Sequence, residues 1–228
     1  MNEIVDGLLQ ALQMILSGDT TLWEIILLSL FVSGAALLIS TVIGVPLGAA
    51  LGLWRVPARR LITVLLYTGM GLPPVVVGLF VYLLLSRSGP LGPLGWLFTP
   101  RAMIFAQVII SFPLVTGLTM AAVLGVDPRL RLQVRALGAT GSQEALAVLS
   151  EARIGVIAAI VAAFGSVISE VGAVMLVGGN IAGRTRVLTT AIVLETRMGD
   201  FAFALALGVI LLSIAFLANL VLLRLQGR

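Results

Sequence analysis

The chain contains no cysteine, no histidine and no lysine; its 14 cationic side chains are all arginine. The first absence excludes disulfides and thiolate metal sites. The three together remove every Ser-His, Cys-His and Ser-Lys arrangement for nucleophilic catalysis. Charge of either sign is scarce, at 11% of 228 residues, against about 25% in a soluble domain. No paired acids and no metal-ligating cluster fall inside the apolar runs, which argues against an intramembrane enzyme and gives no candidate metal site. What fills the chain is hydrophobic: 60% of residues, with a mean hydropathy of +1.17. That composition predicts an all-α polytopic membrane protein. The net charge of +4 does not point to nucleic acid, because the arginines lie between hydrophobic spans, where membrane topology accounts for them.

The one sizeable polar island is Asp127 to Glu151. Asp127 can cap a short helix with Pro128 at its first position, where the missing N–H costs nothing. Gly138 can end that helix in a left-handed conformation. Thr140 with Gln143 forms a capping box for a second helix, Gln143 towards Leu149. The result is a helix–glycine–helix elbow with Arg129, Arg131 and Arg135 on it. Two readings stand on spacing alone: a docking surface for a soluble partner, or a basic loop that obeys the topology rule.

Along the chain, Ile4, Leu8, Leu12 and Ile15 mark an amphipathic helix over 4–16, too short to span and suited to the interface. Glu3 and Asp6 argue against a secretory signal. Thr21 with Glu24 reads as a capping box opening a first span, about 22–47, with Trp23 as an interfacial anchor and a bend expected near Pro46. A second span, about 61–85, contains Pro73 and Pro74, which deprive the carbonyls of Gly69 and Met70 of their helical donors. It is either a kinked packing helix or an element of a pathway. The third span, about 102–125, carries Pro113 near its middle. The fourth, about 154–177, has a small-residue stripe through Gly155, Ala158, Ala162, Gly165, Ser169 and Gly172. Glu170 lies within it, about 24 Å from its start if the helix is straight. A loop with Asn180, Arg184, Arg186, Glu195 and Arg197 precedes a fifth span, about 201–223.

Five spans place the termini on opposite sides. With the elbow inside, Arg55, Arg59, Arg60, Arg129, Arg131, Arg135, Arg153, Arg224 and Arg228 are cytoplasmic; Arg87, Arg101, Arg184, Arg186 and Arg197 are external. This asymmetry predicts an external N-terminus and a cytoplasmic C-terminus in a cytoplasmic (inner) membrane. No repeat relates the halves, and an odd span number argues against a two-repeat secondary transporter.

The elbow, placed between the third and fourth of five spans with RALGAT at 135–140, resembles the EAA loop of ABC-transporter permeases of the binding-protein-dependent type. Leu132, Gln133 and Val134 stand where that family usually has Glu-Ala-Ala, and Leu149-Ser150 where it often has Leu-Pro. SEVGAVMLVGGN, 169–180, is similar to a Glu-aromatic-Gly-Ala…Gly-Asn segment of molybdate, tungstate and sulfate permeases, with Val171 in place of the aromatic. TRVLTTAIVLET, 185–196, and GLPPVVVGL, 71–79, resemble the short tungstate-type permeases. The resemblance implies a type I permease: a homodimer, two ATP-binding cassette ATPases carrying ATP and Mg, and an extracytoplasmic oxyanion-binding protein. It implies a single permease domain over 1–228 with no cofactor of its own; the chain lacks a G-x-x-x-x-G-K-S/T phosphate loop. Arg131, Arg135, Gly138, Ala139 and Thr140 would couple to the ATPase. Glu170, Gly172, Asn180, Arg184, Arg186, Thr189 and Thr190 would line the pathway or gate, with helix breaks at Pro73, Pro74 and Pro113. A carboxylate repels an oxyanion, so Glu170 is expected to act as a structural or gating latch paired with Arg184 or Arg186, direct ligation being the other reading. The alternative function is an ATP-independent transporter or channel for a small anion.

Overall fold

The computed structural model describes residues 9, 13, 19–54 and 56–226. Most of the proposed interfacial helix 4–16, together with Arg55 and Arg228, lies outside them. Ten α-helices follow in order among the described residues, with no strand: α1 (Thr20–Leu53), α2 (Arg59–Met70), α3 (Pro74–Leu85), α4 (Pro100–Leu124), α5 (Pro128–Ala136), α6 (Gly141–Glu151), α7 (Arg153–Ile168), α8 (Gly172–Gly178), α9 (Leu188–Met198) and α10 (Phe201–Gln226). Only α1, α4 and α10 are singly long and apolar enough to cross a membrane. By length and composition two bent pairs raise the number to at most five: α2 with α3, bent by 101°, and α6 with α7, bent by 65°, α7 being the apolar part of the second pair.

α1 is the mast of the fold. Its 34 residues rise about 50 Å, more than the roughly 30 Å of a hydrocarbon core. Asp19, not Thr21, caps it: the Asp19 carboxylate accepts the Leu22 N–H at 2.8 Å. Thr21 already lies inside the helix, so the expected box with Glu24 does not form. Pro46 sits inside α1 and Pro113 inside α4, and neither interrupts its helix.

α1 packs most extensively on α4. Gly44, Gly48 and Gly52, four residues apart, make that approach close. A methyl at Gly48 would collide with the Thr116 carbonyl oxygen, and one at Gly52 would stand 2.6 Å from Val123 Cγ1. Ser40 and Ser111 join across the same interface at 2.7 Å. A tight seam therefore runs along the first span, and the fourth-span stripe is equally close at two of its positions. Along the fourth-span stripe, Gly155 meets Ala122 and Gly172 meets Val75, but Gly165 faces open space.

The two prolines of the second span do more than kink it. α2 ends at Gly71, Pro73 is extended and Pro74 opens α3. Gly69 lies against Pro113, so the break rests on α4. The expected fourth span is broken as well. The Ser169 hydroxyl bonds back to the Gly165 carbonyl at 2.7 Å, and Glu170 restarts the chain as α8. The segment read as a loop before the fifth span holds an eleven-residue helix, α9. Its residues Leu188 and Ala191 join Leu22, Ile25, Ile26, Leu207 and Ile210 in a buried cluster.

Candidate functional site

Two polar assemblies stand out: the elbow α5–α6, and the junction where α7 breaks into α8.

The elbow forms for local reasons. The Asp127 side chain accepts the Arg129 N–H at 2.8 Å, with Pro128 at the first helical position. Gly138 takes φ +82°. The Thr140 N–H donates to Gln143 Oε1 at 2.8 Å, and the Gln143 N–H donates to the Thr140 hydroxyl, which together make the capping box. One residue that sequence reasoning passes over holds the two helices together. Glu144, with 8% of its side chain exposed, receives Arg131 Nε on one oxygen and Arg135 Nε on the other, each at 2.7 Å. Hydrogen bonding to Arg135 and then Arg131 holds the Glu144 carboxyl below its ordinary range, and the carboxylate in turn raises Arg135. A carboxylate in the first turn of α6 also complements that helix's N-terminal dipole. Arg131 reaches beyond the elbow as well. Its Nη2 donates to the Leu53 carbonyl at 2.7 Å, satisfying a terminal carbonyl of α1. Beside exposed polar residues such as Arg129 and Gln133, the elbow also presents apolar ones outward. Leu137 is 88% exposed, and Leu146 and Leu132 are exposed too.

The second assembly is buried. Glu170 is only 8% exposed, and its Oε1 accepts the Ala173 N–H at 2.9 Å. Among the described residues no ion pair joins it to Arg184 or Arg186; the expected latch pairing is absent. The first turn of α8 supplies an N–H and a favourable dipole end instead, which is how a carboxylate here manages without a cation. Side chains from three other helices hold the break open. Gln107 on α4 donates Nε2 to the Val167 carbonyl at 2.9 Å, and Ser33 on α1 donates to the same oxygen. Thr189 on α9 donates to the Glu170 carbonyl at 2.9 Å. Ser29 on α1 accepts the Leu188 N–H at 2.8 Å. The carbonyls freed where α7 stops are thereby satisfied inside the protein, as a break at membrane depth requires. The gap left between these groups is about 10 Å³, room for one water. Gln107 Oε1 has no partner among the described residues.

The remaining expected pathway residues divide. Thr189 and Thr190 are buried, Thr190 accepting the Val187 N–H at 3.1 Å to start α9. Gly172 lies at the α3–α8 contact, against Val75, where the two half-helices begin side by side. Asn180 sits in the left-handed region at φ 51°. Arg184 and Arg186 are brought to the first turns of α1. Pro73 and Pro74 are at a break; Pro113 supports it from within an unbroken helix. Ala139 and Thr140 follow Gly138 into α6. Sequence reasoning misses Gln107, Ser29 and Ser33. A lone amide in a hydrophobic run is the available signal for Gln107, and the serines look like ordinary packing residues.

Residues 44–228 match the family described as binding-protein-dependent transport system inner membrane component. The chain is 41% identical over 226 residues, 99% of both sequences, to the tungstate uptake system permease protein TupB of Peptoclostridium acidaminophilum. It is 45% identical over 205 residues, 88% of both sequences, to a probable anion ABC transporter permease protein of Haloferax volcanii. Its fold matches a chain of the MetNI methionine ABC transporter in an inward-facing conformation, with TM-score 0.72, 18% identity, and 91% of this chain and 94% of that chain covered.

Proposed function

Since this chain belongs to the family of binding-protein-dependent transport system inner membrane components, we propose that it is the membrane-spanning subunit of an ATP-driven importer of a tetrahedral oxyanion, tungstate foremost and molybdate next. Its likeness to the tungstate and anion permeases over 99% and 88% of its length supports the choice of cargo. The chain itself is a permease, not an enzyme. ATP and Mg belong to two partner ATPase subunits, and an extracytoplasmic binding protein delivers the anion. The permease works as a homodimer with the elbow and C-terminus in the cytoplasm.

The observation that carries this reading is the elbow. A short helix pair, clamped internally by one carboxylate and hooked to the end of α1, offers a nearly fully exposed leucine outward. Such a surface suits a partner's apolar groove. Movement of that partner would pull on α1 through Arg131, and α1 reaches the buried junction through Ser29 and Ser33. Glu170 is then a gating residue: it fixes the α7–α8 break in one arrangement, and pathway opening displaces it from the Ala173 N–H. Gly172 and Thr189 stand at the same break, Thr190 starts α9, and Asn180 follows the far end of α8.

The docking assignment is tested by Leu137→Asp. The expected outcome is loss of ATPase copurification from membranes that contain normal amounts of permease. Full copurification with normal uptake overturns it.

A further inference from the structure

At the end of α1 opposite the elbow, a cavity of about 470 Å³ opens between its first turns and the loop 182–186. Its walls divide by chemistry. Leu27, Leu28 and Phe31 make one side, with Leu27 60% and Phe31 59% exposed. Arg184 and Arg186 come from the loop, and Glu24 lies on α1 one turn before Leu27 and Leu28. The arginines stand on a fixed platform. The N–H groups of Arg184, Thr185 and Arg186 all converge on the Ile181 carbonyl, at 3.2, 2.9 and 3.0 Å. Thr185, fully buried, donates to the Gly178 carbonyl at 2.7 Å and accepts the Ile181 N–H at 2.9 Å.

Arg186 Nε is buried and has no partner among the described residues. Nε itself is closed off from solvent, so an anion in the cavity would meet this guanidinium at its terminal nitrogens, where a charged acceptor pairs best. Neither arginine forms an ion pair among the described residues. With Glu24 also lining the cavity the local charge is +1, two arginines less one glutamate; it balances one phosphodiester and leaves a dianion in excess. The apolar side matches an acyl chain. Phe31 also lines the neighbouring groove that holds Trp96 and Arg101, and Trp23 is exposed on the first turn of α1; aromatic and arginine side chains together mark a headgroup level.

We propose that this cavity is a specific site for an anionic phospholipid, its headgroup phosphate held by Arg184 and Arg186 and one acyl chain laid along Leu27, Leu28 and Phe31. The inference rests on the chain being a membrane protein and not on its cargo.

The test is native mass spectrometry of the delipidated full chain, offered phosphatidylglycerol or phosphatidylcholine with matched acyl chains. The expected result is one phosphatidylglycerol retained per chain, with a preference of about thirtyfold if each arginine contributes its usual share near a membrane surface. Arg184→Gln with Arg186→Gln should abolish the preference, and Arg184→Lys with Arg186→Lys should keep most of it while controlling for folding. Equal retention of the two lipids, or an unchanged preference in the glutamine variant, overturns the site. Displacement of phosphatidylglycerol by millimolar tungstate would make the cavity a cargo site and overturns it too. Binding that appears only after Glu3→Gln and Asp6→Asn would show that the chain's own N-terminal segment holds the arginines, and it would equally overturn the lipid site.

Discussion

Arg131 Nη2 donates to the main-chain carbonyl of Leu53 at 2.7 Å, across 78 residues of sequence. This hydrogen bond fastens the elbow to the last turn of α1, and the same guanidinium is aimed by Glu144 through its Nε. Removing Glu144 therefore does two things: it unclamps α5 from α6 and lets Arg131 swing off α1. Glu144→Gln is expected to raise amide hydrogen exchange across 128–151 and to lower transport per ATP hydrolysed, with the permease still in the membrane. Glu144→Gln that exchanges and transports like the parent would dismiss the clamp.

The same carboxylate sets a pH dependence. Its folded value is depressed by Arg135 and Arg131, so its contribution is fully present above the ordinary carboxylate range and is lost as pH falls through the folded value. Arg135, raised above its usual value, stays charged throughout. Elbow protection should be flat from neutral pH down to the ordinary carboxylate range and fall only below it. Hydrogen exchange measured against pH checks this, and loss of protection between about pH 7 and 6, well above the ordinary carboxylate range, would contradict it.

Gly138 has φ +82° and nothing within 4 Å of an added Cβ. Substitution there costs backbone strain alone, about 1–2 kcal/mol for an ordinary L-residue and less for asparagine. The expected order of increasing damage to the elbow is Asn, then Ala, then Val, read as helix content and exchange in the segment. Equal tolerance of all three would show that the left-handed turn is not needed.

How much of this can be read from the chain alone follows the range of each interaction. The elbow is legible because its signals act within three or four residues: Asp127 before Pro128, Gly138 at a turn, Thr140 with Gln143. Glu144 escapes such a reading because its partners lie nine and thirteen residues away and meet it only after the turn forms. The break at Glu170 is hidden inside an apolar run. It depends on Gln107 and Thr189, which arrive from α4 and α9. Glu195 and Arg197 make α9 look like loop, although Leu188 and Ala191 bury it against α10 and α1. The start of α1 is two residues earlier than its sequence suggests, because Asp19 and Thr21 are both capping types and only geometry separates them. The likeness to oxyanion permeases, by contrast, is carried by contiguous motifs and needs no geometry.

The glycine seam gives a contrast within one protein. Gly48→Ala forces α1 away from Thr116 and Thr119 and is expected to destabilise the chain by about 1–3 kcal/mol through overpacking. Gly165→Ala meets nothing within the chain and should not lower its thermal stability, raising it if anything by about 0.5–1 kcal/mol. Thermal melts of the two purified variants compare them directly; equal losses would contradict the seam assignment.

At the buried junction, Gln107→Leu removes one donor to the Val167 carbonyl, which keeps the Ser33 hydroxyl and the Glu170 N–H. The expected loss in a thermal melt is that of one net hydrogen bond, about 0.5–1.5 kcal/mol. Glu170→Gln keeps the shape and an acceptor oxygen for the Ala173 N–H but removes the charge. The expected outcome for Glu170→Gln is normal insertion with raised basal ATP hydrolysis in the assembled transporter. Unchanged hydrolysis and unchanged uptake would leave Glu170 as a helix cap without a gating role.

The central claim, that this chain is the path through which a separate ATPase drives oxyanion import, is tested most directly by tungstate uptake into proteoliposomes holding the permease, its ATPase and its binding protein. Accumulation should require ATP and Mg on the ATPase side together with both partners, and Leu137→Asp should abolish it. Equal tungstate uptake by the permease alone, without ATP, would contradict the account.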